Sequence, residues 1–392
     1  MDAGKRLSIF ISHPSEFLTD CRLHGDGLIA FEYIQRLAQR GHQLHVAVQA
    51  ATIQRELPDN ITLYPIPTRV PSSAFKPLEY MVRVRQLFQQ IQRDRGVDII
   101  HQLNPVNPGL SSGLVGTPLP VVLGIFFPYW PSDSDPPRFK SSIPGAIAKH
   151  LAHPIVQWCD RTQQRQASAL LLSTPAARSR LYDSNACQNR TYLLPCGIDI
   201  HQFTPADPAP TSASLSILYL ARLAQQKGIF TLLEAFANVV QAFPTCQLTI
   251  AGSGPDEAQV KQQVDRLDCR TQISLLGEVA REQVPATVQQ CSLCCMPSYG
   301  EPFGLSALEA MACGKPLVVT DAGGLAHLVS EQGGYKVAPR DSVGLATALS
   351  KLLASANDRQ RMGDFNRRWV EEHYSWERII DRLETIYWQL LD

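Results

Sequence analysis

At 392 residues the chain is too long for one ordinary domain and suits two domains of about 200 each. Apolar residues make up 44% and charged residues 18%, enough for two buried cores and contrary to disorder. Lys plus Arg and Asp plus Glu both total 36, so the net charge of zero excludes any general electrostatic pull toward nucleic acid, and only a local basic patch would hold an anionic membrane.

No uninterrupted apolar run reaches the roughly 20 residues needed to span a bilayer. The longest candidate, Pro118 to Pro131, is broken by Pro120, Gly124 and Pro128. Leu7 to Ile11 follows Lys5 and Arg6 but is too short for the core of a signal peptide and reads as a first buried strand. A cytoplasmic protein is expected, with peripheral membrane association left open. Among the 10 Cys, only Cys291, Cys294 and Cys295 cluster, and no second cluster completes a zinc site. Cys294 and Cys295 lie in an apolar run and read as small buried hydrophobes, with neither disulfide nor metal expected.

In chain order, the N-terminal half alternates strand-like and helix-like patterns. Leu7–Ser12 reads as a strand, Leu28–Arg40 as a helix stopped by Gly41, and His45–Val48 and Ile61–Pro65 as further strands. A helix at Leu78–Arg93, strands at Ile99–His101 and Val121–Phe127, and a helix within Ala146–Gln166 follow. Strands at Ala169–Ser173 and Tyr192–Leu194 complete the series. The pattern lapses at "PCGIDIHQFTPADPAP", which marks the domain boundary, with residues 1–198 before it and 199–374 after it. A second series runs through strands at Ser216–Leu220, Gln247–Ala251, Ile273–Leu276, Leu293–Met296 and Leu317–Thr320. Helices are predicted at Gly228–Ala242, Glu257–Leu267, Glu282–Gln290, Gly304–Ala312 and Val343–Leu353. Such alternation predicts α/β architecture, two consecutive doubly wound domains built on mostly parallel sheets. The final segment, 375–392, carries a helix with apolar residues at 376, 379, 380, 383, 387 and 390, a stripe that needs a surface to cover.

Open parallel sheets bind ligands beyond the carboxyl ends of their strands, which makes each loop there a candidate. The loop "ARLAQQKG" places Arg222 and Lys227 before a helix, two cations suited to a diphosphate or, equally, to solvent. In "AGSGPDEA", Gly252 and Gly254 permit a tight turn or a close approach to a ligand. In "PSYGEPFGLSALEAMACG", Glu301 precedes a helix opened by Gly304, and Glu309 lies inside that helix. Helix N-termini favour anions, and Gly304 to Glu309 spans roughly 7 Å of rise, about the reach from a phosphate to a ribose. Glu309 sits among Ala307, Leu308, Ala310 and Met311, where a lone acid calls for a partner or a ligand.

The pair Glu301 and Glu309 within "EPFGLSALEAMACGKPLVV" resembles the signature of glycosyltransferase family 4. "ARLAQQKG" is similar to the family's "GRL…KG", and Gly197, Ile198, Asp199, Phe203 and Pro205 match its segment at the domain join. The resemblance covers the C-terminal half strongly and the N-terminal half loosely. It implies the GT-B architecture, two Rossmann-like domains facing each other across a cleft, with the terminal helix returning to the N-terminal domain. It implies retaining transfer of a hexosyl group from a nucleotide-diphosphate sugar to a hydroxyl of a glycan, lipid or small metabolite. By the same resemblance Arg222, Lys227 and the backbone at Phe303, Gly304 and Leu305 hold the diphosphate. Glu309 holds the ribose, Glu301 acts as the catalytic residue against the donor sugar, and the loop at Gly252 shapes the nucleotide pocket. No metal and no cofactor beyond the sugar nucleotide are implied.

The N-terminal half departs from the family pattern. In place of a Gly-Gly turn it has "CRLHGDGLIAF", in which Gly25, Asp26 and Gly27 are candidates for an acceptor or phosphate loop, with turn-only glycines as the alternative. Where relatives carry a His against the donor sugar, this chain has Phe126 in "LGIFFPYWP". His101 and Asn104 follow a predicted strand end and are read as structural, with an acceptor-side lining as the alternative, and Phe126, Phe127, Tyr129 and Trp130 as packing or an acceptor lining. Arg138, Lys140 and Lys149 read as a plain surface, with membrane contact as the second reading. Competing functions are a GT-B epimerase, a phosphorylase, which would need a pyridoxal phosphate site, and a donor-binding subunit without turnover.

Overall fold

The hydrophobic alternation of the two halves resolves into two separate parallel sheets. The computed structural model describes residues 6–13, 18–21, 25–67, 76–103, 110–127, 144–206 and 215–392, with the side chains of 25, 26, 77 and 144–153 outside that description. One unit holds the described residues up to Pro195 together with Ile379–Asp392, and the other spans Cys196–Arg378.

In the first unit the order is β1 (Ser8–His13), β2 (Leu18–Thr19), α1 (Gly25–Gln39), β3 (Gln43–Val48), β4 (Ala51–Thr52), β5 (Ile61–Pro65), α2 (Lys76–Asp94), β6 (Ile99–Gln102), β7 (Val121–Phe126), α3 (Pro144–Gln166), β8 (Ala169–Leu172) and β9 (Thr191–Leu193). The main sheet runs β5-β3-β1-β6-β7-β8-β9, and β2 and β4 form a small ladder of their own. Strands β6, β7 and β8 are buried along their whole length, as continuous apolar runs are when a parallel sheet is covered on both faces. Phe126 ends β7 inside this core, 3% exposed, packed with residues such as Leu123 and Leu172. Its aromatic ring is core. Helix α1 begins at Gly25, three residues before the predicted start, so Gly25, Asp26 and Gly27 form its first turn in place of a loop. Glycines and an aspartate carry no apolar periodicity, which hid that turn from the sequence.

The second unit contains β10 (Ser216–Leu220), α4 (Ile229–Ala242), β11 (Gln247–Ala251), α5 (Glu257–Asp265), β12 (Ile273–Gly277), α6 (Val284–Gln289), β13 (Leu293–Met296), α7 (Leu305–Ala312), β14 (Leu317–Thr320), α8 (Leu325–Leu328), β15 (Gly334–Val337), α9 (Ser342–Ala354) and α10 (Ala356–His373). Its sheet runs β12-β11-β10-β13-β14-β15, all parallel. Ile217, Tyr219, Leu232, Phe236 and Leu349 are among the residues that fill its core. Cys294 and Cys295, on β13, are wholly buried, and the Cys291 and Cys294 sulfurs lie 3.4 Å apart. Among the described residues no group of three or more His, Cys, Asp or Glu could hold a metal ion.

Helix α10 escapes the periodicity argument for a physical reason. Its buried positions are Met362, Gly363, Asn366 and Val370, of which two are not apolar side chains. Asn366 instead donates from Nδ2 to the carbonyls of Lys315 and Gly333, both at 2.8 Å. A helix docked through such contacts leaves no hydrophobic stripe to read.

The last helix, α11 (Trp376–Leu391), buries Ile379, Ile380, Leu383, Ile386 and Tyr387. Tyr387 Oη lies 2.5 Å from His101 Nδ1, and His101 Nε2 lies 3.2 Å from the Gly124 carbonyl. His101 is therefore structural, as its sequence context suggested. Burial lowers its pKa to about 3, against the Gly124 hydrogen bond that opposes the shift. A histidine with a depressed folded pKa contributes stability above its unfolded pKa of 6.5 and loses it as pH falls toward 3. Stability should therefore fall as pH drops from 6.5 toward 3 on account of this one group. His101→Gln should flatten that slope in urea titrations between the two values. No helix among the described residues is long and apolar enough to cross a membrane.

Candidate functional site

In the second sheet the strand order reverses at β10, whose neighbours are β11 on one side and β13 on the other. The loops after β10 and β13 therefore start side by side, at the place where open parallel sheets accept ligands. They are fastened to each other. Tyr299 N donates to the Gln226 carbonyl at 2.9 Å. Gly228, at φ 75°, lies so close that a Cβ there would come within 1.9 Å of the Pro297 carbonyl oxygen.

This fastening unites two of the predicted residues. Lys227 Nζ donates to Glu301 Oε2 at 2.5 Å, and Ser298 Oγ reaches the same carboxylate oxygen at 3.4 Å. Both charged side chains are 17% exposed. Glu301 is held from behind as well, because its carbonyl accepts Gly324 N at 2.6 Å. Sequence reasoning placed Lys227 on a phosphate and Glu301 on a sugar; the structure shows one ion pair at the base of both loops.

Arg222 follows β10 and is exposed. Its guanidinium takes no part in the hydrogen bonds or ion pairs found among the described residues, although its carbonyl accepts Tyr219 Oη at 3.3 Å. Gly252 follows β11, and a Cβ on it would lie 2.0 Å from the Ala221 carbonyl oxygen. Its close approach is thus to the backbone just before Arg222. Leu223 N donates to the Ser253 carbonyl at 2.9 Å and Gln225 N to Asp256 Oδ2 at 2.6 Å, so the β11 loop braces the loop that carries both cations.

Helix α7 starts at Leu305, with Gly304 as its N-cap at φ 99° and Phe303 buried beside it. Glu309, in the middle of α7, is 7% exposed. The partner that its apolar setting called for is Arg281, whose Nη1 donates to Glu309 Oε1 at 3.0 Å. Arg281 Cζ also stands 5.6 Å from the centroid of the Phe203 ring. Burial pushes the Glu309 carboxyl above its usual range, and the charge and hydrogen bond of Arg281 pull it back. The sequence reading missed Arg281. Its only signal was position, in the short turn after the carboxyl end of β12.

With Arg281→Ala, a buried carboxylate loses its counter-charge and its pKa climbs further. A carboxyl whose folded pKa is raised contributes stability below the unfolded value of 4.5 and loses it as pH rises through the folded value. The variant should therefore lose more stability than the wild type between pH 4.5 and neutrality, visible in thermal unfolding across that range. Arg281→Lys should recover part of the difference.

The structure groups Lys227 with Glu301 and pairs Glu309 with Arg281, while Arg222 joins neither pair. Gly25, Asp26 and Gly27 belong to the first unit. Asn104, Tyr129, Trp130, Arg138 and Lys140 lie outside the described residues, as does the side chain of Lys149. Phe127 is half-buried, and its carbonyl accepts Arg180 Nη1 at 3.1 Å.

Family models match both halves of the chain. A family model described as glycosyl transferases group 1 matches residues 205–369, and one described as a glycosyl transferase 4-like domain matches residues 27–197. The chain belongs to glycosyltransferase family 4. It is a transferase with the GT-B fold. This glycosyltransferase is 27% identical over 292 residues to an alpha-D-kanosaminyltransferase of Streptomyces kanamyceticus, an alignment covering 71% of this chain and 72% of that one. It is 30% identical over 192 residues to a glycogen synthase of Mycobacterium tuberculosis, covering 49% of this chain and 46% of the synthase. The crystal structure of Anabaena HepE in complex with UDP superposes with a TM-score of 0.73 at 17% identity, covering 97% of this chain and 99% of that one.

Proposed function

We propose that this glycosyltransferase moves a hexosyl group from a nucleotide-diphosphate sugar to an acceptor hydroxyl, with retention at the anomeric carbon and without a metal ion. The observation that carries the reading is the Lys227–Glu301 ion pair, set where the strand order reverses and just before Gly304, the N-cap of α7. A diphosphate at that place meets the ammonium of Lys227, the guanidinium of Arg222 in the loop after β10, and free backbone N–H groups at the start of α7. Those fixed positive charges stabilise the departing nucleoside diphosphate, the work a divalent cation does in other transferases. As Lys227 turns to phosphate, the Glu301 carboxylate is released to accept hydrogen bonds from sugar hydroxyls, and Glu309 holds the ribose. The acceptor then attacks on the face the diphosphate leaves. Its chemical class is a hydroxyl of a sugar, a lipid or a small metabolite, and HepE, which shares the fold, is itself a UDP-binding protein in its crystal structure.

The test is release of nucleoside diphosphate across a panel of sugar nucleotides, coupled with thermal shift, since a bound donor stabilises the fold by mass action. Arg222→Ala and Glu309→Ala should each cut turnover and weaken the donor-induced shift. Wild-type turnover in both variants would reject this placement of the donor.

A further inference from the structure

The outward face of α3, in the first unit, carries side chains that folding left uncovered. Ile155 is 49% exposed, Trp158 is 66% exposed, and Tyr182 beyond the end of the helix is 45% exposed. Ile155, Trp158, Thr162 and Arg165 recur at helical spacing along one stripe. The opposite stripe, Cys159, Gln163 and Gln164 with Asp160 beside it, is buried. Isolated exposed apolar residues are ordinary, but an exposed Trp and Ile one turn apart with a Tyr nearby form a patch.

Two cations border the patch, and one exposed acid, Asp183, follows Tyr182. Arg161 places its guanidinium carbon 5.0 Å from the Tyr182 ring centroid, and Arg165 stands exposed one turn further along the same face. Of the neighbouring acids, Asp160 is buried and accepts Gln163 Nε2 at 2.6 Å and Gln164 Nε2 at 3.5 Å. Asp183 is exposed, and its carboxylate accepts Ala186 N at 3.0 Å. The outer surface of α3 therefore offers an indole, a branched aliphatic chain and a phenol interleaved with two guanidinium groups.

We propose that this face docks on an anionic lipid surface. Trp and Tyr settle where an apolar body and a polar tip are both satisfied, at the level of the headgroups. Ile155 adds apolar burial, while Arg161 and Arg165 form paired hydrogen bonds with lipid phosphates and gain from the surface potential. Lipid fits this face because two guanidinium groups flank its exposed apolar side chains, the charge complement of an anionic headgroup layer. The inference rests on the first unit alone and stands apart from the reading of the donor site.

Co-sedimentation of the full chain with vesicles tests it, comparing pure phosphatidylcholine with an equimolar mixture of phosphatidylcholine and phosphatidylglycerol. The protein should bind the anionic vesicles, bind the neutral ones at least about tenfold more weakly, and dissociate in high salt. Ile155→Ser with Trp158→Ser, and separately Arg161→Glu with Arg165→Glu, should each weaken binding about tenfold or more while donor turnover stays unchanged. Unchanged turnover also shows that the variants fold. Absence of vesicle binding, equal binding to both vesicle types, or binding that survives both double variants overturns the proposal. So does a dimer in solution that either double variant splits, which would assign the face to a second copy of the chain.

Discussion

Lys227→Ala should lower kcat/KM for glycosyl transfer by about two to three orders of magnitude, the range found when one preorganised charge-stabilising donor is lost. The effect is large because the residue is placed by backbone and not by a mobile side chain. Lys227 ends a single 3-10 turn, Gln225–Lys227, whose N–H donates to Ala224 at 2.8 Å, and the turn is tied to the β13 loop through Gln226. Its ammonium is 2.5 Å from Glu301. On the proposed donor placement, removing it takes a positive charge from the leaving diphosphate and leaves the Glu301 carboxylate uncompensated beside an anion. Lys227→Arg keeps the charge but needs more room than that short contact leaves, so partial recovery is expected. Glu301→Gln should lower kcat more than it raises KM, since a carboxylate charge lost beside the sugar matters most when positive charge develops there. Initial rates over a range of donor concentrations check all three. Near-wild-type rates for Lys227→Ala would remove the ion pair from the donor site.

Gly228→Ala should destabilise the second unit by about 3 kcal/mol or more, placing it among the most damaging single substitutions available. Two costs add. An alanine at φ 75° carries a left-handed penalty of about 1 kcal/mol. Its methyl would also sit 1.9 Å from the Pro297 oxygen and 2.6 Å from the Pro297 carbonyl carbon, both backbone atoms that no rotamer change can move. Relief requires the β10 and β13 loops to part, which would carry Lys227 away from Glu301 and abolish transfer along with stability. Gly277→Ala separates the two costs. Gly277 has nearly the same φ, 71°, but nothing lies within 4 Å of its Cβ position, so only the conformational penalty of about 1 kcal/mol applies. Urea unfolding of the two variants should differ by about 2 kcal/mol; equal midpoints would show that the loops yield without strain.

Much of this site was legible because strand ends advertise themselves. Continuous apolar runs such as Leu293–Met296 mark strands buried on both faces, and the polar residues directly after them fall at the carboxyl edge, where chemistry is done. Hence Arg222, Lys227 and Glu301 could be placed at strand ends from the residue pattern, while their assignment to one site with Glu309 came from the family resemblance. Helix α1 reads three residues short because its first turn is Gly25-Asp26-Gly27, without apolar side chains. Helix α10 escapes notice because it docks through Gly363 and Asn366 as much as through Met362 and Val370. Periodicity registers only surfaces buried by hydrophobicity.

The sequence by itself determined the class of fold, the order of the longer strands and most helices, and the residue types available at each strand end, because these depend on local pattern and on the rules of parallel winding. Only the tertiary structure decided who faces whom. Lys227 and Glu301 are 74 positions apart and meet because β10 and β13 are neighbours in the sheet though not in the chain, whereas Arg281 and Glu309, 28 apart, meet across separated strands because α6 packs against α7. A charge pair reports long-range closure, and its partners carry no mark of one another in the local sequence.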